Sequence, residues 1–139
     1  MTRTLAIIKP DAVAAGRAGK ILAHLESEGF RMTACRLTRL NRLQAEEFYG
    51  VHRERPFFPS LVSFMTSGPV IPLALEAEDA VQRLRKVIGA TDPAEALPGT
   101  IRALHAESKE RNAIHASDSD ENAAREIAFF FAEADLFSL

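Results

Sequence analysis

The sequence predicts an α+β fold, a four-stranded antiparallel sheet with helices packed on it, and three observations carry that expectation. Four short runs, at 3–9, 30–40, 69–77 and around 113–115, are β-branched-rich or alternate between apolar and polar residues. Segments of helical spacing with legible caps stand between them. The length of 139 residues, with 47% hydrophobic and 26% charged residues, suits one compact domain over residues 1–139 that needs no disulfide or cofactor to fold.

Taken in order, "RTLAIIK" at 3–9 reads as a buried strand that ends at Pro10 and delivers Lys9 to its edge. Ile21, Leu22 and Leu25 repeat at helical spacing over 17–28, and Gly29 supplies the stop. The second strand, 30–40, alternates so as to set Met32, Ala34 and Arg36 on one face and Arg31, Thr33 and Cys35 on the other. Asn41 and Gln44 form the pattern of a capping box and open a helix through "LQAEEFYGVH". A second, proline-bounded helix in "RPFFPSLVSFMTSGP" completes a hairpin before the strand "PVIPLALEA". Asp79 is placed to cap "AVQRLRKVI", which Gly89 ends, and "GATDPAEALPGT" is a turn-rich loop. After the short strand at Ala113–His115, Ser119 caps the final helix, "DENAAREIAFFF". With the hairpin set aside, this order is a ferredoxin-like split βαβ arrangement, with helices on one face of the sheet plus an inserted helical hairpin.

Several function classes drop out. A net charge of −2 lacks the general footprint of a nucleic-acid binder, although a local basic pocket remains open. The single Cys35 has no internal partner, which fits an inert thiol in a reducing compartment. The apolar run before Lys9 is too short for a signal-peptide core or a membrane span, so a soluble cytoplasmic protein is expected, with no membrane partner. "GRAGKI" has two residues between its glycines and Ile21 after Lys20, so it fails as a phosphate loop. Four histidines and one cysteine show no metal-ligand spacing, so any metal would arrive with a ligand.

His115, in "ERNAIHASDSDEN", is the residue whose neighbourhood points to chemistry. Alone it would read as a satisfied histidine; with Asn112 before it, Ser117 after it and a helix beginning at once, it is an imidazole at a strand end, where side chains are accessible and fixed. "NAIHASD", together with "IIKPDAV", "YGVHRERPFFP", "MTSGPV", "GATDP" and "PGTIR" in order and spacing, resembles the nucleoside diphosphate kinase family along nearly the whole chain. The resemblance implies transfer of the γ-phosphate of a nucleoside triphosphate to a nucleoside diphosphate through a phosphohistidine. It also implies Mg²⁺, a ferredoxin-like core, and a homo-oligomer, tetramer or hexamer, built from dimers.

Carried over residue by residue, the match makes His115 the nucleophile, oriented by Ser117 and Glu126. Lys9, Arg85, Thr91 and Arg102 resemble the phosphate-binding residues, and Tyr49 stands beside the reacting phosphoryl group. Asn112 and Lys9 resemble the sugar-hydroxyl contacts, and Phe57 the aromatic on which the base stacks. No protein metal ligand is implied, since Mg²⁺ is held mainly through the nucleotide phosphates. The set makes physical sense without a glycine-rich loop, because phosphoryl transfer asks mainly for positioning and for cations around the equatorial oxygens. Stacking tolerates every base, so broad specificity follows. Because donor and acceptor bonds are alike, one site can serve both half-reactions in a ping-pong cycle.

The match departs after "TIR", where Leu104 stands for the family's Asp and His105 for its aromatic. Two other readings compete with an active kinase: a nucleotide-binding protein that lost turnover through those changes, and a histidine phosphotransfer module, which would need a helical bundle. The chain's end at Leu139, soon after its last helix, favours a tetramer over a hexamer.

Overall fold

The structure, a computed structural model, describes residues 1–138; Leu139, on which the tetramer expectation rests, lies outside them. Strands β1 (Thr2–Ile8), β2 (Arg31–Cys35), β3 (Ile71–Ala77) and β4 (Ile114–Ala116) form one sheet in the order β2-β3-β1-β4, every pairing antiparallel. The expected ferredoxin-like topology is therefore the observed one. The helices are α1 (Pro10–Ala14), α2 (Ala18–Ser27), α3 (Arg42–Phe48), α4 (Phe58–Met65), α5 (Ala80–Ile88), α6 (Ile101–His105) and α7 (Asp120–Phe130).

Alternation along β1 splits the core in two. Ala6 and Ile8 pack with Ile21 and Leu25 of α2, Leu84 and Ile88 of α5, and Ile101 of α6. Leu5 and Ile7 face the other way, onto Phe48, Val62 and Met65 of the α3–α4 hairpin and Ile127 and Phe130 of α7. Both faces of the sheet are thus covered, with α7 beside the hairpin opposite α2 and α5, so the helices outside the hairpin are not confined to one face as expected: the apolar stripe of α7 meets Leu5 and Ile7 rather than Ala6 and Ile8. Each fully buried aliphatic chain here contributes about 1.5–3 kcal/mol. No helix among the described residues is long and apolar enough to cross a membrane.

The caps account for most boundaries. The Asn41–Gln44 capping box is present in both directions, at 2.8 and 2.9 Å, and Ser119 Oγ accepts from the Asn122 N–H at 3.1 Å. Asp79 does not cap α5 as expected. It sits in the left-handed region (φ 51), and the Ala80 N–H donates instead to Thr2 Oγ1 at 2.9 Å, from the far end of the chain. The predicted alternation of β2 also fails. A register shift between Met32 and Ala34 leaves both Thr33 and Ala34 buried, with Thr33 Oγ1 donating to the Ala74 carbonyl, while Arg36 is exposed.

Two short helices escaped the pattern. α1 begins at Pro10, whose fixed φ suits the first helical position as well as it ends a strand. α6 is five residues long, too short to show a period, and Thr100 caps it. Gly89 (φ 90) joins α5 to the loop that leads there; a Cβ would lie 2.5 Å from Thr100 Oγ1, so glycine is required by close approach as well as by conformation.

Candidate functional site

The inner strand β1 leads into Lys9, and the edge strand β4 runs beside it with Ile7 opposite His115, so this antiparallel pair brings both residues to one end of the sheet. The approach to β4 is held tightly. The Lys9 N–H donates to the Ala113 carbonyl at 2.9 Å, and the Ala113 N–H donates to the buried Asp11 Oδ2 at 3.1 Å. Ala113 itself is at φ 74, a conformation costing an alanine on the order of 1–3 kcal/mol and retained because these bonds over-determine it.

His115 lies between Phe48 and Tyr49, both edge-on, with ring centroids 5.4 and 5.9 Å away. Its Nε2 is 2.6 Å from Glu126 Oε1, and the buried Ser117 hydroxyl donates to the same oxygen at 3.0 Å. Glu126 comes from α7, beyond its Ser119-capped start, so sheet and helix meet at this carboxylate. An acceptor at Nε2 selects the tautomer protonated there and leaves Nδ1 with its lone pair free.

A cavity of about 580 Å³ opens beside the imidazole. Lys9, Tyr49, Phe57, Arg85, Thr91, Arg102, Asn112, His115 and Glu126 all line it, so residues spread from 9 to 126 converge on one site. Ser117 is not among the lining residues; it sits behind the imidazole, its hydroxyl accepting from the Leu5 N–H at 3.3 Å. The sequence reading did not assign His52, Lys109, Arg125 or Asp118, which also line the cavity. His52 stacks at a tilt on Phe57 with centroids 5.3 Å apart; its place in "YGVHRERPFFP" was the signal that could have found it. Nothing in the local pattern marks Lys109.

The electrostatics favour an anion. Lys9, Arg85, Arg102, Lys109 and Arg125 face Glu110, Asp118 and Glu126, a local cationic surplus in a chain of net charge −2. Burial, helped by the Arg102 charge, lowers Lys9 to about 8. Burial beside Arg85 lowers Arg102 to about 10, although its Nη1 and Nη2 donate to the Gly89 and Ile114 carbonyls at 3.1 and 2.8 Å. Burial, with Glu126 nearby, raises Tyr49 far above its usual range and keeps its hydroxyl protonated. Three buried polar atoms at this cavity, Tyr49 Oη, Arg102 Nε and Asn112 Oδ1, have no hydrogen-bond partner in the protein. Such atoms are costly unless a ligand or water meets them.

The Leu104 and His105 departure leaves Arg102 at the cavity. Leu104 is exposed, and the half-buried His105 lies away from the site beside Arg17. Cys35 is exposed on the edge strand β2, and partial burial raises its thiol above the usual range, in keeping with an inert group.

A family model described as nucleoside diphosphate kinase matches residues 2–136. A nucleoside diphosphate kinase from a Nitratiruptor species is 57% identical over 98% of this chain and 99% of its own length. One from Anaplasma phagocytophilum is 54% identical over 97% of this chain and 96% of its own. Among solved structures, the Aquifex aeolicus nucleoside diphosphate kinase superposes with a TM-score of 0.96 at 50% identity, over 98% of this chain and 99% of that one. A halophilic nucleoside diphosphate kinase from Halobacterium salinarum, in complex with CDP, gives 0.94 at 40% identity, over 99% and 91%.

Proposed function

The chain belongs to the nucleoside diphosphate kinase family and is a phosphotransferase acting on nucleoside diphosphates, and from that premise we propose a ping-pong cycle through a phosphohistidine on His115. The single observation that carries this reading is the 2.6 Å contact between His115 Nε2 and the buried Glu126, which leaves Nδ1 for the phosphoryl group. In the first half-reaction the Nδ1 lone pair forms a bond to the γ-phosphorus of the triphosphate as the bond to the bridging oxygen breaks. The diphosphate leaves with that electron pair. The ring becomes cationic, and the Glu126 carboxylate, supported by Ser117, faces the new charge without having to move. In the second half-reaction an oxygen of the acceptor diphosphate attacks the same phosphorus and Nδ1 leaves with its electrons.

Lys9, Arg85, Thr91 and Arg102 bind the phosphates, and the unpartnered Tyr49 hydroxyl donates to the transferring group. Asn112 Oδ1 and Lys9 accept from and donate to the sugar hydroxyls, while Asn112 Nδ2 is tied to the Thr91 carbonyl at 3.3 Å. Phe57 stacks on the base. It offers an apolar face with no hydrogen-bonding edge, which supports broad base specificity. The neighbour from Halobacterium, solved with CDP, is in keeping with a pyrimidine being accepted.

The family's divalent cation is assigned as Mg²⁺. Among the described residues no three His, Cys, Asp or Glu side chains cluster as a metal cage. The fit is to an ion carried in on phosphate oxygens, with Asp118 as the exposed carboxylate at the cavity that would help hold it. The Asn122 amide, 2.7 Å from Asp118 Oδ1, holds that carboxyl below its usual range and so keeps it an anionic oxygen donor. Bound there, the cation would neutralise developing charge on the phosphates. The same proposal includes a cytoplasmic setting, one domain over residues 1–139, and a tetramer or hexamer built from dimers, which light scattering would distinguish.

Incubation with ATP and no acceptor tests the mechanism. The expected product carries phosphate on His115 that is labile to acid and stable to base, as a phosphoramidate is. Acid-stable phosphate on a serine would overturn the nucleophile. Initial-rate plots should be parallel; intersecting lines would mean a ternary complex.

A further inference from the structure

Leu104 and His105, where the match departs after "TIR", end α6, and the same short helix carries Arg102 near its start. A helix of five residues cannot hold its own position in water, so anchors at its ends decide where Arg102 points. At the start, Thr100 Oγ1 accepts from the Ala103 N–H at 3.3 Å, and Ile101 is fully buried. At the other end the anchor is one side chain from elsewhere in the sequence. Arg17, at the turn before α2, donates from Nη1 to the Leu104 carbonyl at 3.3 Å and lies 3.3 Å from His105 Nδ1.

We propose that Arg17 is a positioning residue for Arg102, acting by holding the C-terminal end of α6, and that this hold requires His105 to be neutral. The inference rests on reading Arg102 as a phosphate ligand.

The guanidinium has only donors, so His105 Nδ1 must be the acceptor and the ring proton must sit on Nε2. A cation at a helix C-terminus also meets the negative end of the helix dipole and the last free carbonyls. Protonation of Nδ1 removes the acceptor and sets two cations against each other. The charged groups facing the ring from the neighbouring turn and helix are Arg17, Lys20 and His24. Glu28 is 4.0 Å from His24, and Glu107, the nearest carboxylate in the chain after His105, is paired with Arg111 at 3.3 Å. Burial first, and then those cations, lower the His105 pKa below its ordinary value. The neutral form therefore prevails at neutral pH, and the hold is lost as pH falls through that lowered value.

Arg102 has little slack to absorb the loss. Its two terminal nitrogens are bound to the Gly89 and Ile114 carbonyls, and its Nε is buried without a partner. A shift of α6 would pull the side chain against those two bonds, whose acceptors lie outside α6, and so change the direction of the N–H groups left for phosphate.

The test measures ADP binding by calorimetry beside steady-state kinetics and melting temperature, in the full chain. Arg17→Ala should raise the ADP dissociation constant about threefold to tenfold at pH 7.5, the range expected for one hydrogen-bonded anchor, while turnover at saturating nucleotide changes by less than about twofold. Arg17→Lys, which keeps the charge and a donor for the Leu104 carbonyl, should recover most of the affinity. His105→Phe removes the protonation while leaving that carbonyl bond, so the ratio of wild-type to His105→Phe dissociation constants should grow as pH falls from about 7.5 to 5. ADP's own titration cancels in the ratio. A lower melting temperature for Arg17→Ala with unchanged ADP affinity, or a ratio flat with pH, would overturn the inference alone. Unchanged ADP affinity in Arg102→Ala would overturn the phosphate-binding reading and this inference with it.

Discussion

The two walls of the cavity are built differently. On the imidazole side, His115 and Ser117 come from the edge strand β4 and the residue that follows it, and Glu126 from α7; Glu126 and Ser117 are buried, and Lys9 is only 6% exposed. On the opposite side, Phe57 is 47% exposed at the start of α4, and Arg85 and Thr91 stand on the surface. The proposed nucleophile must be held to within a fraction of an ångström, and it stands where strand and helix fix its surroundings. The recognition of many bases proposed above needs a surface that adapts, and Phe57, the residue proposed for it, stands at an exposed hairpin. The imidazole and its partners should control turnover, whereas the exposed wall, together with the buried Lys9, should control affinity.

Substitution of the proposed nucleophile should break the comparison most completely. His115→Ala should abolish transfer while leaving nucleotide binding nearly intact, because the phosphate and base contacts lie elsewhere. Positioning a nucleophile is worth on the order of 7–11 kcal/mol. Imidazole added to His115→Gly should therefore restore a small, measurable fraction of activity, and loss of ADP binding in the alanine variant would show that the walls are not separable.

Glu126→Gln should follow in size. It removes the charge opposite the cationic phosphoimidazole, and a hydrogen bond to a charged group is worth about 1.5–3 kcal/mol. Rapid-mix measurement of phosphoenzyme formation should show a slowing of about tenfold to a hundredfold, with ADP affinity unchanged. A change confined to affinity would assign Glu126 to binding.

On the exposed wall, Phe57→Ala should weaken purine and pyrimidine diphosphates by similar factors, about five- to tenfold, the low end of the range for base stacking on a half-exposed ring. Opposite shifts for the two base classes, read by competition binding, would move base readout to another residue.

The smallest effect belongs to Lys9. Its lowered pKa of about 8 means the free enzyme loses this charge as pH rises through 8, while bound polyphosphate favours the ammonium. ADP affinity should decline above pH 8, and binding near pH 8.5 should take up a fraction of a proton, visible by calorimetry in buffers of different ionisation enthalpy. Stability of the ligand-free protein moves the other way. Between about 8 and 10.5 the unfolded chain binds more protons at this residue, so the Lys9 contribution rises with pH.

Local patterns in the sequence were enough to determine the capping box at Asn41, the Ser119 cap, the four strand positions and the order of the elements other than α1 and α6, because each depends on neighbours within a few residues. The motifs around His115, Lys9 and Phe57 were legible for a similar reason, since each is a contiguous string. Tertiary structure alone decided the bulge that buries Thr33, the Thr2 hydroxyl that replaces Asp79 as the cap of α5, and the pairing of Arg17 with His105 across 88 positions. It also decided that Nε2 rather than Nδ1 of His115 meets Glu126. Those features are contacts between groups far apart in the chain, whose distances follow from how the sheet twists and the helices seat on it, and no periodicity within one segment encodes them.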